Sequence, residues 1–173
     1  MTHHIHKYQL YPFWDSEYQF LQYEKEDFND TEQCQQWLLQ GYGNNFTGFM
    51  CDMRNPQPTW NRRFIEMFAN QGWQDVGTSY YRMDTGTVLP THGDLYKKYI
   101  DIFALHGREH TIRRAIVFLQ DWQPGHYAEY LDQAHVKWKA GSTVEWPYDT
   151  PHMAANLGPT PRYTLQITGH VDD

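Results

Sequence analysis

From Val76 onward the chain breaks into short β-rich runs separated by turn residues, and that rhythm constrains its fold more than any other feature. The runs are Thr78–Met83, Thr87–Thr91, Thr111–Trp122, His126–Leu131, Val136–Lys139, Thr143–Trp146, His152–Asn156 and Tyr163–Thr168. Breakers lie between them: Asp84 to Gly86, Gln123-Pro124-Gly125, Ala140-Gly141, Trp146-Pro147 and Leu157-Gly158-Pro159. Many short strands with turns between them predict a sandwich or barrel. One run is apolar at every position through its middle: Ala115, Ile116, Val117, Phe118 and Leu119. A strand of that kind is buried on both faces, so the stretch Arg113–Gln120 is expected at the centre of a sheet.

The first 75 residues read differently. Ile5 to Trp14 is rich in aromatic and aliphatic residues and predicts a strand joining the main sheet. Thr31, Glu32 and Gln33 lead into Cys34, Trp37, Leu38 and Leu39, which predicts a short helix ended by Gly41 and Gly43. Gly41 to Gly48 reads as a loop. Trp60, Phe64, Ile65, Phe68 and Ala69 recur at spacings of three and four, one apolar stripe of a helix packed on the outside of a sheet. The expected organisation is one domain over 1–173: a helical and strand support, 1–75, laid against a β core, 76–173. No residue of the support carries a chemical signal.

Composition narrows the class of partner. The formal net charge is -7, which disfavours a sequence-independent grip on a nucleic-acid backbone. Mean hydropathy is -0.80, and no apolar run approaches a membrane span. No signal peptide is visible at the start, and Cys34 and Cys51 do not resemble a disulfide framework. A reducing, cytoplasmic setting is the expectation. The oligomeric state is not readable. The cluster His3, His4 and His6 tempts a search for metal, but a histidine cluster at a terminus is expected to be adventitious.

The chemistry lies in three short pieces of the second half: Thr91-His92-Gly93-Asp94, Pro151-His152 and Arg162-Tyr163-Thr164. His92 and Asp94 are two apart, so in an extended segment both side chains leave the same face. Gly93 between them leaves room for a close backbone approach. Two histidines and a carboxylate can occupy one face of a metal and leave the other open, and His152 is the expected third ligand. Arg162 and Thr164 share one side of their strand. Read as a hairpin, His152–Asn156 and Arg162–Ile167 would bring an imidazole and, deeper in one cavity, a guanidinium with a hydroxyl. Such a pair suits a carboxylate.

In order and kind these residues resemble the iron(II)- and 2-oxoglutarate-dependent oxygenase superfamily over roughly residues 78–170. The motif is His92-Gly93-Asp94, then His152, then Arg162 followed by Thr164. The run Arg114–Gly125 resembles the strand and turn that follow the first ligands in its hydroxylases, and Lys139–Val144 the turn before the distal histidine. Where the prolyl-hydroxylase-like branch often carries a Gly-Gly pair after the Pro-Gly turn, this chain has His126-Tyr127. The resemblance implies a double-stranded β-helix, or jelly roll, with Fe(II) on His92, Asp94 and His152. It implies 2-oxoglutarate chelating the iron, with its far carboxylate on Arg162 and Thr164, and O2 as oxidant. Tyr81, on the strand before the first ligands, stands where relatives place a tyrosine that bonds the co-substrate. The implied reaction hydroxylates an unactivated C–H bond of a small molecule, such as an amino acid, or of a peptidyl side chain such as proline, with release of succinate. A cupin-like metal-binding jelly roll without oxygenase activity, an isomerase or a ligand-binding module, is the alternative. Tyr96 to Tyr99 are expected as a mobile lip or a solvated loop. Trp122, Trp138 and Trp146 are expected in the core, and His106, His110, His126, His135 and His170 exposed or packed.

Overall fold

A computed structural model describes residues 4–172. His3 of the terminal histidine cluster lies outside the described residues. The run expected at the centre of a sheet is there: β6 (Ile112–Phe118) continues a stretch in which Ala115 to Leu119 are all buried. It belongs to a seven-stranded antiparallel sheet. The strand order is β1 (His6–Gln9), β9 (Ser142–Pro147), β6, β11 (Arg162–His170), β4 (Gln74–Met83), β3 (Phe49–Asp52) and β2 (Glu24–Lys25). A four-stranded sheet runs β5 (Thr87–His92), β10 (His152–Asn156), β7 (His126–Tyr130) and β8 (Gln133–His135).

Alternation along the strands divides the core in two. On the outer face of the large sheet, Ala115, Val117, Leu165 and Ile167 pack with Phe64 and Phe68. Those two phenylalanines come from α2 (Asn61–Ala69) and are fully buried. Each burial contributes about 1.5–3 kcal/mol, enough to hold a short helix that has no side-chain cap. On the inner face, Ile116, Phe118 and Val144 meet Ala128 and Tyr130 of the small sheet. α1 (Thr31–Leu39) starts where Asp30 accepts a hydrogen bond from the Gln33 amide at 3.0 Å, and it buries Trp37.

Several expectations are corrected. β10 and β11 are not a hairpin: β10 pairs with β5 and β7, while β11 pairs with β4 and β6 in the other sheet. The connection Leu157–Pro161 therefore crosses between sheets. Val136–Lys139 is not a strand, because Lys137 has a φ of 55° that an extended run does not permit; the strand there is β8, just upstream. The expected strand over Ile5–Trp14 ends at Gln9. β3, unforeseen, follows the glycine-rich loop. Tyr96 to Tyr99 are not a solvated loop. Tyr96 precedes α3 (Lys97–Phe103), which the next three residues begin, and it is buried in a cluster with Ile100, Leu105 and Ile112. Both cysteines are free. Among the described residues no helix is long and apolar enough to cross a membrane.

Candidate metal centre

His92 ends β5 and His152 begins β10, and the register of that antiparallel pair sets the two residues directly opposite each other. Their ring centroids are 4.4 Å apart. Asp94 follows β5 by two residues and turns back between them. Its Oδ1 lies 3.7 Å from His92 Nε2 and its Oδ2 lies 3.7 Å from His152 Nε2. Among the described residues these three form the one group of three or more His, Cys, Asp or Glu whose donor atoms all lie within 4.8 Å of one another. Bonds of about 2.1 Å to nitrogen and oxygen require donor atoms within roughly 4 Å of each other, which both imidazole–carboxylate distances satisfy.

The imidazoles are prepared as ligands. His92 Nδ1 lies 2.8 Å from the Pro90 carbonyl oxygen, and His152 Nδ1 lies 2.8 Å from the Thr150 carbonyl oxygen. A carbonyl only accepts, so in each ring Nδ1 carries the proton and Nε2 keeps its lone pair toward Asp94. Burial lowers the His152 pKa to about 4 against the pull of Asp94, so the ring is neutral at pH 7. Burial pushes the Asp94 carboxyl up, but Arg114, His152 and His92 outweigh it and hold the group well below the usual carboxylate range. Two bare nitrogens and one carboxylate in a half-enclosed site fit a divalent transition metal with open positions. Phe28 and Trp37 stack edge-on to the His92 ring at 5.4 and 6.2 Å. The support thus builds one wall of the site, a role that no local pattern in the first 75 residues announced.

Beyond the cluster a cavity opens between the sheets, with about 490 Å³ of space not occupied by atoms, part of it continuous with solvent. Arg162, Thr164 and Gln166, alternate residues of β11, line it. Arg162 is 3% exposed. No carboxylate among the described residues forms an ion pair with it, its Nε has no hydrogen-bond partner, and its Nη1 meets only the Met83 sulfur at 3.9 Å. The guanidinium sits over the Phe118 and Trp138 rings at 5.3 and 5.7 Å. Burial lowers its pKa, partly opposed by Tyr130 and Tyr81, yet a guanidinium stays charged.

Tyr81 pairs with Thr164 across β4 and β11 and lines the same cavity. Its oxygen accepts the Gly48 amide at 2.5 Å, and burial pushes its pKa up to about 12, so it remains a hydroxyl whose proton can still be donated. Tyr130, directly opposite His152 on β7, also lines the cavity, and burial raises its pKa. The sequence reading missed Tyr130 and Arg114. Arg114 is the more legible of the two: an arginine at an inward position of a doubly buried strand needs a partner. Asn156, by contrast, spends its side chain on turn contacts to Met83, Thr160 and Gly158.

No protein-family model and no curated protein matches the sequence. Among solved structures, a prolyl-4-hydroxylase from Pseudomonas putida superposes with a TM-score of 0.61 at 13% identity, over 99% of this chain and 95% of that one. The fold is a double-stranded β-helix. More distant are the cupin domain of Cnp3 from Schizosaccharomyces pombe (TM-score 0.41, 11% identity, 72% of this chain and 61% of that one) and a cupin superfamily protein from Desulfitobacterium hafniense (TM-score 0.39, 14% identity, 71% and 78%). At these identities the likeness speaks for the fold alone.

Proposed function

We propose that the chain is an Fe(II)- and 2-oxoglutarate-dependent oxygenase that hydroxylates an unactivated C–H bond. The observation that carries this reading is Arg162. A buried cation with no acidic partner costs several kcal/mol unless an anion arrives to meet it. Here it lies in the cavity that begins at the His92–Asp94–His152 cluster. A metal site at one end and an unpaired guanidinium further in match a dicarboxylate that chelates metal at one end and presents a carboxylate at the other. Thr164, Tyr81 and Tyr130 add hydroxyl groups around that position. A metal-binding jelly roll with no dianion to hold has no use for Arg162.

In this reading His92, Asp94 and His152 hold the iron, which supplies oxygen activation coupled to decarboxylation of the keto acid. The Pro90 and Thr150 carbonyls keep both imidazoles in the ligating tautomer. Among the described residues that line the cavity, Asp94 contributes the one negative charge, so a divalent ion leaves the centre receptive to a dianion. Arg162 fixes the far carboxylate through parallel N–H bonds. Phe118, Trp138 and Trp146 keep bulk water from the inner wall. The test is calorimetric: 2-oxoglutarate is titrated into protein loaded with redox-inert Mn(II). Binding that requires both the metal and Arg162 supports the proposal. Binding that ignores either refutes it.

A further inference from the structure

The cavity holds a second guanidinium. Arg114 projects from β6 at the metal end, and its Nη2 lies 3.4 Å from Asp94 Oδ2. Its Nη1 donates to Gln166 Oε1 at 2.6 Å, and its Nε is buried without a partner. The Tyr96 ring stacks under it at 4.9 Å. About 15% of its side chain remains accessible, and it lines the cavity together with Gln166. Gln166 and Arg162 are four residues apart on β11. At a rise of about 3.3 Å per residue their Cα atoms are roughly 13 Å apart, with the Arg114 guanidinium bonded to Gln166 and beside Asp94, and Arg162 at the other end of that stretch of strand.

Asp94 does not saturate Arg114. Its carboxylate is shared with two imidazoles, and the 3.4 Å separation is longer than the 2.7–2.9 Å of a charge-assisted bond. The charges also leave a remainder. Among the described residues Asp94 is the only carboxylate lining the cavity, against Arg114 and Arg162. A divalent ion raises the surplus to three positive charges, and bound 2-oxoglutarate takes two of them. One positive charge is left in a buried site, and it belongs to Arg114.

We infer that Arg114, oriented by Gln166 and Tyr96, receives the carboxylate of the primary substrate, which is therefore a free carboxylic acid of the amino-acid class and not an internal residue of a peptide. This rests on the oxygenase reading and chooses between the two substrate classes that reading leaves open. An internal peptide residue has no carboxylate to offer Arg114. A free amino acid has one beside the carbon chain to be oxidised.

The test uses the whole chain with Fe(II) and 2-oxoglutarate under anaerobic conditions. The twenty L-amino acids and their carboxamides are added at equal concentrations. A shift in the visible charge-transfer band of the chelated keto acid reports entry of a compound beside the metal, and succinate release in air reports coupling. At least one acid is expected to shift the band at concentrations about ten- to a hundredfold lower than its carboxamide, the factor that a lost charge-assisted hydrogen bond produces. Arg114→Gln should abolish that preference. If the variant does not assemble the band, the acid–amide comparison in the wild-type protein decides. Acids and carboxamides of equal strength, or no shift with any of the twenty acids while an end-blocked peptide gives one, overturn the inference. Absence of the band before any amino acid is added refutes the oxygenase reading, and the inference falls with it.

Discussion

Replacing Arg162 with methionine should make the metal-free protein more stable and its co-substrate binding much weaker. Arg162 is 3% exposed, has no ion-pair partner among the described residues and leaves Nε unbonded. Burying such a charge costs several kcal/mol even after relaxation. The Phe118 and Trp138 rings return about 1–2 kcal/mol through cation–π attraction. Methionine has a similar length and no charge, and it can pack against the same rings and the Met83 sulfur. The net gain for Arg162→Met is then about 2 kcal/mol, which for a chain of this size raises Tm by about 4–8 °C. The opposite effect falls on binding. Loss of the parallel charge-assisted bonds to a carboxylate costs about 3 kcal/mol, a factor of roughly 150 in Kd. Differential scanning calorimetry without metal and 2-oxoglutarate titration with Mn(II) measure the two sides. A variant that melts lower than wild type, or that binds 2-oxoglutarate equally well, refutes the claim that Arg162 is an anion anchor held at the expense of stability.

Other outcomes follow from the same geometry. His92→Ala and His152→Ala each remove one of three donors and should weaken divalent metal binding by at least about a hundredfold, as read by competition with a chelating dye. His135 is pushed down to about 4, by burial first and then by Lys7 and Arg162. The unfolded chain therefore binds the proton that the folded one refuses, and stability should be lost as pH falls from about 6.5 toward 4. His135→Gln should reduce that slope in thermal melts, leaving the share that His152 contributes over the same range. Gly48→Ala would set a Cβ 2.2 Å from the Arg82 carbonyl oxygen and 3.0 Å from Tyr81 Cζ. It should lower Tm and displace the Tyr81 hydroxyl, with a measurable loss of 2-oxoglutarate affinity.

The sequence was legible where one local pattern had one structural meaning. The doubly apolar run over Ala115–Leu119 is the middle of the large sheet, and the stripe Phe64–Phe68 is the inner face of α2. His92 and Asp94, two residues apart, do reach the same point, and His152 joins them because β10 lies beside β5. What the pattern did not carry is which sheet a strand enters. Leu157–Pro161 looks like a hairpin turn, yet it passes from one sheet to the other. His152 and Arg162 consequently reach one cavity from opposite walls and not from adjacent strands. α3 was hidden because its first residue is preceded by Tyr96 in a left-handed conformation with no side-chain cap. Arg114 stands beside Arg113 at the head of the apolar run Ala115–Leu119, and the sequence does not say which of the two adjacent arginines turns inward. The wall that Phe28 and Trp37 build against His92 depends on long-range packing that no spacing rule encodes.

The central claim is that one site holds a metal and a keto acid together. Its most direct test is to add Fe(II) and then 2-oxoglutarate to the purified protein without oxygen and to record the visible spectrum, with His152→Ala in parallel. The account expects a weak metal-to-ligand charge-transfer band in the wild-type protein and none in the variant. Metal bound without such a band would contradict it and would leave Arg162 a structural arginine in a metal-binding jelly roll.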